Sequence, residues 1–114
     1  MASAFKNAGM SIVTTDNASA NLYTASGVTA VVHAVYISNK STVNSANVDV
    51  KVTTDGGSTF YHVGTHLSIP NSNTLVLDKP INLENGDILR IVAYLNEDSS
   101  QPQLEAFASI LEIS

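Results

Sequence analysis

Apolar and polar residues alternate with a period of two along most of the chain. From Ala46 to Thr53 the alternation is strict, with Val48, Val50 and Val52 on one face and Asn47, Asp49 and Lys51 on the other. Successive side chains of a strand point to opposite sides of a sheet, so this run predicts a half-buried strand with its valines inward. Residues 87–95 put Leu89, Ile91, Ala93 and Leu95 on one face. Residues 106–113 set Phe107, Ser109, Leu111 and Ile113 against Ala106, Ala108, Ile110 and Glu112. Residues 30–38 are apolar on both faces, which predicts a central strand covered on both sides. Weaker strand patterns fall at residues 9–15, 21–25, 59–67 and 74–77.

Turn chemistry separates these runs. Asp55-Gly56-Gly57 supplies the positive φ angles of a tight hairpin, and Asn85-Gly86, between Glu84 and Asp87, is the strongest short hairpin signal in the chain. Residues 39–42 and 70–73 read as loops, and the polar residues 96–102 read as a mobile tip. No segment sustains a helical period. Seven to nine short strands at this spacing predict an all-β fold in one domain over residues 1–114. The expected architecture is an antiparallel β-sandwich, jelly-roll or Greek-key like.

Composition changes the picture in one respect. Of the 114 residues, 44% are hydrophobic, as a domain with a core requires, but only 13% are charged, about half the usual share. The polar surface must therefore be mostly Ser, Thr and Asn, which costs less to desolvate than Lys and Glu and suits a chain that meets other chains, or one living outside a cell. The formal net charge is −5, and the five basic residues, Lys6, Lys40, Lys51, Lys79 and Arg90, are scattered. Nucleic acid, which is bound through clustered cations, is not an expected partner. No apolar run approaches a membrane span, so no membrane partner is expected. Residues 1–6 lack the basic-then-apolar layout of a signal peptide, which leads us to expect synthesis in a cytoplasm. With no cysteine there is neither a disulfide nor a thiolate metal site.

The sharpest local motif is Thr53-Thr54-Asp55-Gly56-Gly57-Ser58-Thr59-Phe60. It fits the Asp-box pattern, in which a hydroxyl residue, Asp, Gly, Thr and an aromatic recur across a β-hairpin. Asp55 is expected to accept backbone N–H groups, Gly57 to take a left-handed angle and Phe60 to tuck beneath, with Thr59 between them. The motif recurs in sialidases and other carbohydrate-handling proteins, but its residues shape a turn and do no chemistry.

His62 and His66 lie four apart. On a helix that spacing could chelate a metal, but on a strand they share a face and stand more than about 12 Å apart, so a metal site would need folding to gather distant ligands. His33, among Ala and Val, is expected in the core or an interface. Asp87 reads as the end of a turn, and Glu97-Asp98 as a solvated loop tip lacking the spacing of a calcium loop. No nucleophile elbow, P-loop or dinucleotide fingerprint is present. We therefore expect no catalytic, cofactor-binding or metal residues, and a binding or assembly role in place of an enzymatic one.

Four phrases carry a resemblance: Asn21-Leu22-Tyr23-Thr24-Ala25, Val32-His33-Ala34-Val35-Tyr36-Ile37-Ser38-Asn39, Pro80-Ile81-Asn82-Leu83-Glu84-Asn85-Gly86-Asp87, and the closing Ser109-Ile110-Leu111-Glu112-Ile113. In this order they resemble small virion proteins of tailed bacteriophages, over most of the chain. The resemblance implies a β-sandwich subunit that decorates a capsid or attaches to a tail or fibre, and it carries no catalytic residues. The leading expectation is a capsid decoration (cement) protein in the virion. Its partners would be the major capsid protein or another virion protein, together with further copies of itself as a homo-oligomer. The alternative is a tail- or fibre-associated attachment or carbohydrate-binding module. That role wants exposed aromatics, and the chain has no Trp, four Tyr and three Phe. A small hydrolase ranks last.

Overall fold

In the computed structural model, residues 3–13, 15, 21–55, 58–96 and 98–114 are described. They form nine strands and no helix: β1 (Ser3–Ile12), β2 (Asn21–Thr24), β3 (Thr29–Asn39), β4 (Ala46–Thr53), β5 (Phe60–Ile69), β6 (Thr74–Leu77), β7 (Ile81–Leu83), β8 (Ile88–Ala93) and β9 (Leu104–Ile113). A front sheet has the order β1-β9-β3-β6, with β7 also pairing β3. A back sheet has the order β2-β8-β4-β5. Every pairing is antiparallel.

The chain changes sheet at almost every connection. Only β4–β5 is a hairpin between sequence neighbours, while β6 and β7 lie end to end along β3. The two antiparallel sheets, interleaved in this way, make a β-sandwich. The core fills the space between the sheets. Val32, Val35, Ile37, Ala106, Ala108 and Ile110 come from the front sheet, and Val48, Val50, Leu89 and Ile91 from the back, all at most 3% exposed.

The valine face of β4 is inward as its alternation requires. Val48 and Val50 are fully buried, and Val52 packs against the core edge. In β9 the inward set is Leu104, Ala106, Ala108 and Ile110, leaving Phe107, Ser109 and Leu111 outward.

Four expectations change. The β3 segment is central but is covered on one side only: Ala30, Val32, Val35 and Ile37 face the core, whereas His33 and Tyr36 are exposed. An antiparallel sheet of a two-layer sandwich has one solvent face, and here that face carries the exposed apolar side chains Tyr36, Val76 and Phe107. His33 sits at a register shift between Val32 and Ala34 and is carried out of the core.

Leu95 lies beyond the end of β8 and is 46% exposed, because the ladder stops at Ala93. The Asn85-Gly86 turn is not a hairpin. It carries the chain from β7 in the front sheet to β8 in the back sheet. Gly86 has φ 93° and its N–H donates to Ala25 O (2.6 Å), while Ala25 N donates to Asp87 O (2.9 Å). Asp87 is buried and closes the corner by accepting the Glu84 N–H on Oδ2 at 2.9 Å.

The 96–102 segment is anchored at both ends, with Asn96 and Pro102 buried. The Asn96 amide donates to Ser100 Oγ and Gln101 O, satisfying the segment's own polar groups. Glu97 lies outside the described residues.

Candidate functional site

Three places concentrate side chains that can do something, and they differ in kind. The first is the β4–β5 turn. Asp55 Oδ1 accepts the N–H groups of Ser58 (3.0 Å) and Thr59 (2.8 Å) and the Thr53 hydroxyl (3.2 Å). Thr53 Oγ1 in turn accepts the Asp55 N–H at 3.1 Å. These bonds, the Thr59 N–H above all, hold the Asp55 carboxyl below its ordinary pKa. Phe60 is half-buried and lies under the Arg90 guanidinium, 4.0 Å from ring centroid to Cζ. Gly57 lies outside the described residues. Oδ1 of the carboxylate is thus committed to the turn.

The second place was not singled out by sequence. Asp49, on the outer side of β4, is 5% exposed. Oδ1 accepts from His66 N (2.9 Å) and Thr65 Oγ1 (3.1 Å), and Oδ2 from the Tyr94 hydroxyl (2.5 Å), with His62 Nε2 3.5 Å away. The His66 ring stacks on Tyr94 at 4.3 Å and 13°.

Burial pushes the Asp49 carboxyl up, but the bonds from Tyr94, His66 and Thr65 and the nearby His62 outweigh it and leave the pKa lowered. The Tyr94 hydroxyl is raised, chiefly by donating to Asp49. Two register shifts in the β4–β5 ladder, with His66 at φ 49°, gather both histidines around Asp49. The sequence estimate of their separation assumed an unbroken strand, and the bulges remove that assumption. Among the described residues no group of three or more His, Asp or Glu side chains is placed to hold a metal ion. The cluster ties an irregular edge strand to its neighbour.

The third place is the outer face of the front sheet. Residues paired across strands share a face, so register defines rows. One apolar row runs Val76–Tyr36–Phe107–Gly9 and a second runs Val31–Leu111–Phe5, with the row Ala34–Ser109–Asn7 between them. Val76 is 48% exposed, Phe107 45%, Tyr36 40% and Phe5 84%. The Tyr36 and Phe107 rings stand 6.4 Å apart, tilted by 45°. They flank an open concavity of about 490 Å³ floored at Gly9 and rimmed by Ser11, Ser38 and Glu105. The face carries few charges, as the composition of the chain requires. Its exposed apolar side chains are weakly solvated. The signal for it lay in the sequence as the apolar outer positions of the β3 and β9 runs.

No family model matches the sequence, and no curated protein matches it. Solved structures share the fold. A chain of the T13 IBDV viral particle superposes with a TM-score of 0.53 at 12% identity over 97% of this chain, which spans 31% of that one. A chain from the acid-stable capsid of Helicobacter pylori bacteriophage KHP30 gives a TM-score of 0.51 at 12% identity, covering 98% of this chain and 87% of that one. The Eiger TNF structure from S. frugiperda gives 0.49 at 12% identity, over 96% and 93%.

Proposed function

We propose that this chain is a structural, non-enzymatic virion protein, and that it works as a decoration (cement) subunit on the phage head shell. The observation that carries this reading is the apolar outer face of the front sheet, with Tyr36, Phe107, Val76 and Phe5 turned to solvent. It is supported by a sandwich fold of the kind found in two virus-particle chains, one of them nearly coextensive with this one. The resemblance of the four sequence phrases to those of small tailed-phage virion proteins is in keeping with it.

The mechanism is linkage. A protein that binds only the assembled lattice adds its binding free energy to that lattice and not to dissociated subunits. The partner is the major capsid protein or a neighbouring virion protein, and the place of action is the virion.

Adding the protein to expanded shells that lack it should raise their resistance to heat and osmotic shock, saturating at a stoichiometry fixed by lattice symmetry. Phe107→Ser and Tyr36→Ser, both on the solvent side, should weaken that binding without lowering the Tm of the isolated protein. Saturating protein that leaves shell stability unchanged would refute the cement role.

A second reading, an attachment or carbohydrate-binding module on a tail or fibre, draws on the concavity beside Tyr36 and Phe107. The 45° tilt between those rings offers no flat platform for a sugar, which weighs against it. Glycan-array binding lost in Tyr36→Ser, with no binding to shells, would favour this second reading.

A further inference from the structure

The sheet edges differ in how they are finished. The edge strands β2, β6 and β7 are four, four and three residues long. β5 is ten residues long, but two register shifts and the positive φ of His66 break its outer line. Short strands and bulges are the usual devices that keep an edge from pairing with another chain. β1 has neither. Its ten residues pair with β9 in one unbroken register from Ser3↔Ile113 to Ile12↔Leu104. It contains no proline and one charge, Lys6. Among the described residues no strand pairs with its other edge.

The same strand carries a knob and a hole on one face. Phe5, the most exposed large apolar side chain described, and Gly9 both point outward, four residues apart. At Gly9 the Phe107 ring leans into the space a side chain would take, 3.8 Å from an ideal Cβ. We propose that β1 pairs antiparallel with β1 of a second copy about a two-fold axis at Asn7, placing Phe5 of each copy over Gly9 of the other and against its Phe107.

That register is set by the side chains. It puts Asn7 opposite Asn7 and Lys6 opposite Ala8, whereas a two-fold axis one residue earlier would oppose Lys6 to Lys6. An aromatic ring lying across a cross-strand glycine restores the packing which the glycine lacks. An isologous contact of this kind uses the same patch twice and closes as a dimer without forming a filament. The front sheets of the two copies become one continuous sheet, and their apolar outer faces one surface. A stable specific interface usually buries about 1,200–2,000 Å². A shared edge with two inserted rings lies at the small end, so association in the micromolar range is expected. The pairing does not depend on the shell reading.

Because the chain has no cysteine, single-cysteine variants report on register. Asn7→Cys should form a disulfide-linked dimer under mild oxidation. Ser11→Cys should not, because the two Ser11 positions lie about 26 Å apart in this register at 3.3 Å per residue. Sedimentation of the unmodified protein should show a monomer–dimer equilibrium. Phe5→Ser should shift it at least tenfold toward monomer, with an unchanged Tm at concentrations where both are monomeric. Gly9→Val should do the same. A Cβ there meets only ordinary contacts, 3.6 and 3.8 Å, so the fold tolerates it while the hole is filled.

A monomer at several hundred micromolar would overturn the proposal. So would Asn7→Cys crosslinking no faster than Ser11→Cys, or a dimer indifferent to both Phe5→Ser and Gly9→Val.

Discussion

Replacing Asp49 by alanine tests whether one carboxylate holds the irregular edge of the back sheet. The side chain accepts three hydrogen bonds, from the His66 N–H, the Thr65 hydroxyl and the Tyr94 hydroxyl. In Asp49→Ala the two hydroxyls turn to water at the surface, so their loss is partial. The partly buried His66 N–H loses its acceptor within a bulge. A hydrogen bond to a charged acceptor contributes about 1.5–3 kcal/mol, and a stranded buried donor costs about 1–3 kcal/mol. One full loss with two partial ones gives about 2–4 kcal/mol. For a domain of this size that is a fall in Tm of roughly 8–15 °C.

The effect has a pH signature. The Asp49 pKa is lowered in the fold, so its contribution is complete above the ordinary aspartate value and disappears as pH falls through the folded value. Calorimetric melts at pH 7 should show the full difference between wild type and variant, and melts near pH 2 should show it closing. Asp49→Asn keeps an acceptor for His66 and should recover about half. A variant within about 3 °C of wild type at pH 7 would refute the reasoning, as would a gap that persists in acid.

Val50→Asp buries an unpaired charge between the sheets, and at 0% exposure should cost at least about 4 kcal/mol, visible as loss of a cooperative melt. Gly86→Val puts a β-branched residue at φ 93° in the corner that joins the sheets, and should cost about 1–3 kcal/mol by urea denaturation. The Tyr23 hydroxyl is raised above its ordinary pKa by burial first, and then by its 2.5 Å bond to Glu112 and that residue's charge; Tyr94 is also raised. A raised pKa means stability that is complete below about pH 10 and lost as pH rises, so Tm should fall on alkaline titration, and less steeply in Tyr23→Phe than in wild type.

The strands were legible where a single periodicity decides the answer. Val48, Val50 and Val52 mark an inward face by alternation alone, and the hydroxyl–Asp geometry of Thr53 and Asp55 follows from local turn chemistry. What lay beyond the sequence was partner choice. Asn85-Gly86 encodes a reversal of the chain, but whether the next strand pairs with the last one or enters the other sheet depends on strands far away. Residues 30–38 read as doubly covered because apolar outward positions look the same whether they meet a core or an interface. Asp49 was passed over as one more outward polar residue. Its role depends on bulges in β5, and a bulge leaves no mark in a pattern of period two.

The position of β9 between β1 and β3 bears on how the molecule is made. β9 follows the other eight described strands in sequence and lies inside the front sheet, zipped to β1 on one side and β3 on the other. During synthesis the eight earlier strands can collapse, but the front sheet lacks its centre, and β1 and β3 have no partner for the edges they will share. Closure of the front sheet waits for β9, whose pairings with β1 join residues about a hundred positions apart. Pairing across such sequence separations is slow. Until that moment two long strand edges carrying a single charge, Lys6, are open to the wrong neighbour.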